Sequence, residues 1–443
     1  MLGRGSDFMK KYLSLLCASL MALSFTACDE DDETPTYELT VQLNFPEGFA
    51  ADESANVTLS NVQGTTWKQE SDATGAVTFN VPAGIYSASA TDRNNGHIFN
   101  GTLAEITVTN AAVSATVEMQ ASNSSQIIIK ELYIGGCMDN DGAKAYQRDP
   151  YVILYNNSGE VASAENLCLG MCLPFNAHAS NKNVTDGVLS YENEGFIPAG
   201  YGIWYFPSTV TIEPYSEIVV ALNGAIDHTV TYSNSVNLAD ASYFACYDPD
   251  DWNNTSYYPT PSEVIPTSHY LLAEKWGLGN AWPMSAIDPA FFIFTTEGIT
   301  PSEFAAAQDW WYNGNTVSDI NACLKVKTEW VLDAIEVFTT TADGNQKRLT
   351  ASTDAGRVYF TNKHGYSMFR NVDLEATKAI EGNESLLVTG MTSCDDEAAD
   401  VVKCDKNGID AVASAKNGAK IIYQDSNNSS NDFFERYQAS LKE

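Results

Sequence analysis

From Tyr37 to Leu43 apolar residues (Tyr37, Leu39, Val41, Leu43) alternate with polar ones, the period of two that a half-buried strand requires. Similar short runs follow at 57–59, 77–79, 85–86, 106–108 and 115–117. They are separated by turn chemistry at Asp72-Ala73-Thr74-Gly75 and Pro82-Ala83-Gly84. Short strands at regular spacing predict a small β-sandwich over 37–120. A polar stretch at 121–125 then reads as a linker. Beyond it the pattern changes. Ile127-Ile128-Ile129 and Tyr151-Val152-Ile153-Leu154-Tyr155 are continuous apolar runs, and strand-like runs recur at 201–206, 217–222, 291–295, 329–339, 357–361, 386–389 and 420–423. Thr300-Pro301-Ser302-Glu303 is a capping box with proline at the first helical position, predicting a helix into 304–311. The fold class expected is mostly β: a small sandwich, then a larger β-rich domain over 126–443 with long loops and a few short helices.

Three resemblances sharpen this. The string SDATGAVTFNVPAGIYSASA, with its D-x-x-G turn and V-P-x-G-x-Y strand start, resembles the transthyretin-like or carboxypeptidase-regulatory-like module of bacterial surface proteins. That resemblance implies a spacer or docking platform. IIIKELYIGG with DPYVILYNNS, IEPYSEIVVALNGAIDHT with SVNLADASYF, WVLDAIEV with KRLTASTDAG, and QDSNNSSNDFF resemble a Bacteroidetes lipoprotein family defined only as a domain of unknown function. The pair DPYVILYNNS and IEPYSEIVVALN is also similar to the lamin-tail type of immunoglobulin-like sandwich. That pattern usually carries Glu where this chain has Ile153.

The N-terminus supplies an address. After a second start at Met9, Lys10-Lys11 precede the apolar run YLSLLCASLMALSF and then Thr26-Ala27-Cys28. A charged region, a short apolar region and a small residue before the cut describe a signal peptide over 1–27. Cys28 directly after Ala27 makes it resemble a lipoprotein signal, although Phe25 stands where Leu is usual. The expected partner of Cys28 is membrane lipid, and stable anchoring takes more than one acyl chain. The acidic run Asp29-Glu30-Asp31-Asp32-Glu33 opens a self-repelling tether over 28–36. It resembles the export signal that sends Bacteroidetes lipoproteins to the outer face of the outer membrane.

The formal net charge is −33, with 57 acidic against 24 basic residues. Nucleic acid is therefore excluded as a partner, because it needs a positive footprint. The cysteines Cys137, Cys168, Cys172, Cys246, Cys323, Cys394 and Cys404 remain after the leader, an odd number that cannot fully pair within one chain. Cys394 and Cys404 flank a short polar loop and are the candidate disulfide. Cys168 and Cys172 have a spacing found in some zinc sites, but with no second ligand pair nearby they read as core thiols or a disulfide.

Enzymatic signatures are lacking. There is no G-x-S-x-G elbow, H-E-x-x-H or phosphate-binding glycine loop, and no enzyme is expected. His228 is expected to be a hydrogen-bonded structural residue. Asp139 and Asp141, and Asp248 and Asp250, form oxygen-rich loops of the kind calcium prefers, though neither fits the EF-hand spacing. No other cofactor is indicated. The aromatic clusters containing Trp204, Trp252, Tyr257, Tyr258, Trp310 and Trp311 are candidates for stacking on sugar rings or packing a partner. The expected function is that of a cell-surface binding or accessory component, serving an outer-membrane transporter or a surface glycan. The alternatives are a structural or adhesin-type assembly role, and a hydrolase with an unfamiliar site. The last predicts His228 or His269 beside carboxylates in a cleft.

Overall fold

The computed structural model describes residues 34–50, 55–63, 65–94, 97–123, 125–277, 279–312, 322–390 and 404–442. The leader, Cys28 and its acidic run, and Cys394 lie outside them. Among the described residues no helix is long and apolar enough to cross a membrane.

The N-terminal module is two facing sheets. Thr36–Asn44 lies between Ala76–Pro82, antiparallel, and Val113–Glu118, parallel. The second sheet runs in the order Thr66–Glu70, Asn56–Asn61, Gly84–Asn94, His97–Val108, Gln120–Asn123. The alternation seen in the sequence becomes an inward row of Leu39, Val41, Val57, Leu59, Val77 and Phe79, each at most 3% exposed. Each such side chain contributes roughly 1.5–3 kcal/mol through burial. Tyr86 joins this core and donates its hydroxyl to the carbonyl of Pro82 at 2.6 Å. Most of the stretch read as a linker is drawn into the sheet, because 120–123 pairs with 97–100. Backbone pairing at a sheet edge asks nothing apolar of Gln, Ser and Asn.

The remainder is built on a twelve-stranded sheet that curls almost into a barrel. Its order is Val358–Phe360, Val331–Thr339, Ala290–Thr295, Leu167–Met171, Gly202–Tyr205, Tyr270–Lys275, Phe244–Cys246, Glu217–Ala221, Tyr151–Asn156, Ile127–Tyr133, Ser367–Arg370 and Phe433–Arg436. Most neighbours are antiparallel; 331–339 with 358–360, and 217–221 with 244–246 and then 270–275, are parallel. The continuous apolar runs have a structural cause. Ile127, Ile129 and Leu132 face the inner core with Val152, Leu154, Phe291 and Ile293. Ile128 faces outward, under a cover drawn from residues 372–387 and 409–423. Tyr133, Tyr151 and Ile153 face outward under 225–265 and Ala439. Both faces are buried, so alternation disappears.

The two ends of the sheet meet without a backbone ladder. Asp333, beside a bulge, accepts the backbone N–H of Ile129 at 2.6 Å and is paired with the guanidinium of Arg370. Arg370 also donates to the carbonyls of Ile129 at 2.7 Å and Gln424 at 2.8 Å, with Asp425 and Asp432 at 3.4 and 3.6 Å. Further along, Glu435 accepts the N–H of Thr361. A second buried pair, Glu336 with Arg348, is closed at 2.6 and 2.8 Å. The predicted capping box is present: Thr300 Oγ1 accepts from Glu303 N at 3.2 Å and Glu303 Oε2 accepts from Thr300 N at 3.0 Å. The helix it starts is Pro301–Ala306, shorter than predicted, because Ala307 turns extended and Trp311–Tyr312 joins a strand. Residues 420–423 form an isolated bridge through Tyr423 rather than a strand.

Candidate binding face

The aromatic clusters separate into interior and surface. Trp204 and Trp252 are fully buried and Tyr258 is 3% exposed, all in the inner core. Tyr258 accepts the N–H of Trp282 at 3.1 Å. These three are packing residues, which corrects the expectation that they offer a stacking surface. Trp204 is carried into that core by the strand Gly202–Tyr205, and Trp252 and Tyr258 reach it from the loop that follows Phe244–Cys246. Tyr257 is half-buried with the guanidinium carbon of Arg148 4.1 Å from its ring centre. Trp310 and Trp311 remain half-buried at the surface.

The acidic loops are braced by hydrogen bonds to backbone N–H groups. Asp139 Oδ1 accepts Ala143 N at 2.8 Å within the turn between Cys137–Met138 and Ala145–Tyr146, and such backbone bonds hold its carboxyl below the usual range. Asp248 accepts the N–H groups of Asp250 at 3.3 Å and Ala273 at 3.1 Å. Asp141 and Asp250 point to solvent. Among the described residues no three His, Cys, Asp or Glu side chains come together to hold a metal. Cys404 is disulfide-bonded, while its expected partner lies outside the described residues. Cys168 and Cys172 are buried free thiols, pushed well above the usual thiol range by burial.

His228 is structural as expected. Its Nδ1 meets the Tyr146 hydroxyl at 2.7 Å and its Nε2 the carbonyl of Gly224 at 2.6 Å, and burial pushes its pKa down. His269 stacks on Phe244 and meets the Tyr243 carbonyl at 3.1 Å. The close histidine–carboxylate pair is one the sequence did not announce: His178 Nδ1 lies 2.6 Å from the buried Asp288 Oδ2, across 110 positions.

That pair belongs to an excursion over 172–201 that leaves the barrel and covers its outer face. Arg348 donates to the carbonyls of Pro174 and Phe175 at 3.0 and 3.1 Å, and Asn181 N to Gln346 Oε1 at 3.1 Å. The excursion ends in Phe196–Gly200, which pairs with Cys323–Lys327 and through it with Trp311–Tyr312. Leu189, Tyr191, Phe196, Val184 and Tyr312 form a small apolar knot in its middle.

Grooves open on either side of that knot. One, of about 440 Å³, runs along Glu194, Phe196, Trp310, Lys325 and Lys327. Trp310 rests on Phe304 and Trp330, each 5.4 Å away between ring centres. The Lys327 amine lies 5.0 Å from the Trp330 ring centre and 5.9 Å from that of Trp310, and the Lys325 amine lies 5.4 Å from Phe196. An aromatic floor with charged rims is suited to a ring that is apolar on one face and polar at its edge. The other groove, about 590 Å³, runs past Leu189, Phe338, Gln346 and Arg357. A roomier opening of about 770 Å³, between 125–127, 162–166 and 295–303, has no aromatic lining.

Residues 213–385 match the family model described as protein of unknown function, DUF4876. The matched segment contains Trp310, Lys325, Lys327 and Arg357, while the 172–201 excursion lies before it. A crystal structure of a DUF4876 family protein from Bacteroides thetaiotaomicron VPI-5482 superposes with a TM-score of 0.50. It is 19% identical, over 90% of this chain and 95% of that one, and shows a shared fold. A DUF3823 family protein from Parabacteroides merdae ATCC 43184 overlaps 41% of this chain and 80% of its own at 10% identity. Its TM-score of 0.17 is too low to bear on the fold. No curated protein matches significantly.

Proposed function

We propose that this chain is a Bacteroidetes surface lipoprotein, anchored through Cys28 and acting by binding rather than catalysis, with a glycan as ligand. The observation that carries the binding reading is the groove floored by Trp310 and rimmed by Lys325, Lys327 and Glu194. A pyranose ring laid on an indole buries its C–H face, and its hydroxyls reach the charged rim. The half-buried Trp310, supported from below by Phe304 and Trp330, loses little side-chain freedom on binding. His178 and Asp288 serve this reading as a fastener of the excursion, alongside Arg348 and Asn181. In this proposal the N-terminal module lifts the barrel from the lipid, and the partner that receives the glycan is an outer-membrane transporter.

The test is a tryptophan-fluorescence titration of the full chain against a panel of neutral oligosaccharides. Quenching is expected, with W310A weakening affinity by about 10-fold, or about 1.4 kcal/mol. Absence of quenching across the panel, or equal affinity in W310A, would sink the glycan reading. Anchoring is checked separately by palmitate labelling, which C28A should abolish.

A further inference from the structure

We infer that the second groove, beside Arg357, is an anionic subsite of the same binding face, reading a carboxylate or sulfate on the sugar it takes. This deepens the glycan reading and rests on it. Acidic residues outnumber basic ones by 57 to 24, so an arginine without a carboxylate is unexpected. Arg348 and Arg370 are consumed by buried ion pairs, Arg148 by the carbonyl of Ser256, and Arg436 by the carbonyl of Gln438. Among the arginines whose side chains are described, only Arg357 keeps a guanidinium with no hydrogen bond or ion pair.

The residue is nonetheless held. Ser430 Oγ accepts its backbone N–H at 3.0 Å and donates to its carbonyl at 2.9 Å. Its guanidinium carbon lies 5.4 Å from the ring centre of Phe338 and 5.8 Å from that of Tyr359, and these rings stand at 81° to each other. Ring contact restrains the side chain without using its N–H groups, so the fork stays available for a planar oxyanion. Gln346 lines the same groove with its Oε1 tied to Asn181 N, leaving its amide N–H groups free among the described residues.

The two grooves share a wall. Val184 and Leu189 line the Arg357 groove and pack in one knot with Phe196, which lines the Trp310 groove. A ligand longer than one sugar can therefore touch both. The chain's net negative charge opposes an anion at long range, but salt screens that field within about 8 Å at physiological strength. The direct fork contact is screened far less.

The test follows the Arg357 Nε–H resonance in the full chain on titration with glucuronate, glucose 6-sulfate and glucose. At least one anionic sugar should move it saturably, with Kd on the order of millimolar and about 10-fold or more below that for glucose. In R357Q, with its fold checked by circular dichroism, that preference should vanish. A resonance unmoved by either anion, equal affinity for glucose, or an undiminished preference in R357Q overturns the subsite. If it is overturned while neutral oligosaccharides still quench Trp310, the glycan reading stands alone. Failure of both titrations removes both.

Discussion

The sandwich and the barrel solve the burial of β-strands in opposite ways. In the sandwich each strand hides one face, polar residues keep the other in water, and an aliphatic and aromatic cluster fills the space between the sheets. In the barrel the central strands hide both faces and carry charge inside. Glu131, Asp333, Glu336, Arg348 and Arg370 are each at most 1% exposed. The sandwich's core could be repacked with other hydrophobes at modest cost. The barrel's interior depends on particular partners, since a buried charge without one costs several kcal/mol.

The sharpest way to break this contrast is Arg370→Ala. It strands Asp333, Asp425 and Asp432 together, and about 3–5 kcal/mol of barrel stability should be lost in a urea titration. A loss under about 1 kcal/mol, the range of an exposed pair, would mean that charge does not hold the seam.

A second effect concerns pH. Burial pushes the Asp149 carboxyl up to about 6, against hydrogen bonds from Ser235 and Tyr133 that lower it. The folded form then holds a proton that the unfolded chain releases near 3.8. The stability so gained is complete below that unfolded value and disappears as pH rises through about 6. Asp149→Asn should flatten this fall, by about 2 kcal/mol between pH 4 and 6, with no loss at pH 7. Asp432, also raised to about 6, contributes with the same sign, so the difference between wild type and variant is the quantity to follow. Parallel curves would reject the assignment.

The smallest effect tests whether the two regions move as one. Asn100 of the sandwich is fully buried and donates to the carbonyl of Ser426 at 2.7 Å. Asn100→Ala should cost about 1 kcal/mol and separate the melting of the sandwich from that of the barrel in calorimetry. A single unchanged transition would show that this bond does not couple them.

Strands were legible in the sequence wherever one period dominated. The 36–44 alternation and the continuous run at 127–133 both became strands close to their expected bounds. What lies on the outer face of a continuous run was not legible, because two-sided burial erases the period that would tell inside from outside. Trp204 and Trp252 could not be told from Trp310, because all three stand among other aromatics and only the folded chain decides which are covered. Glu131 in IIIKELY and Glu336 in WVLDAIEV are charges within apolar runs that sequence reasoning missed, and nothing near them in sequence announces their partners. Ser440 binds Glu131 from 309 positions away, and Asp333 waits on Arg370, 37 positions on. The aromatic floor at Trp310 was half readable, since the residue was a candidate and Lys325 and Lys327 were not. The wall joining it to Arg357 exists only after the excursion folds back.

The seam between the ends of the twelve-stranded sheet has one more consequence. An open sheet carries two rows of unsatisfied backbone groups, each a template on which a foreign strand can add. Here those rows are turned toward one another and partly occupied by carboxylates: Asp333 on Ile129 and Glu435 on Thr361. An incoming strand finds these N–H groups already taken. Acidic side chains at a sheet's margin thus act as a guard against fibre growth.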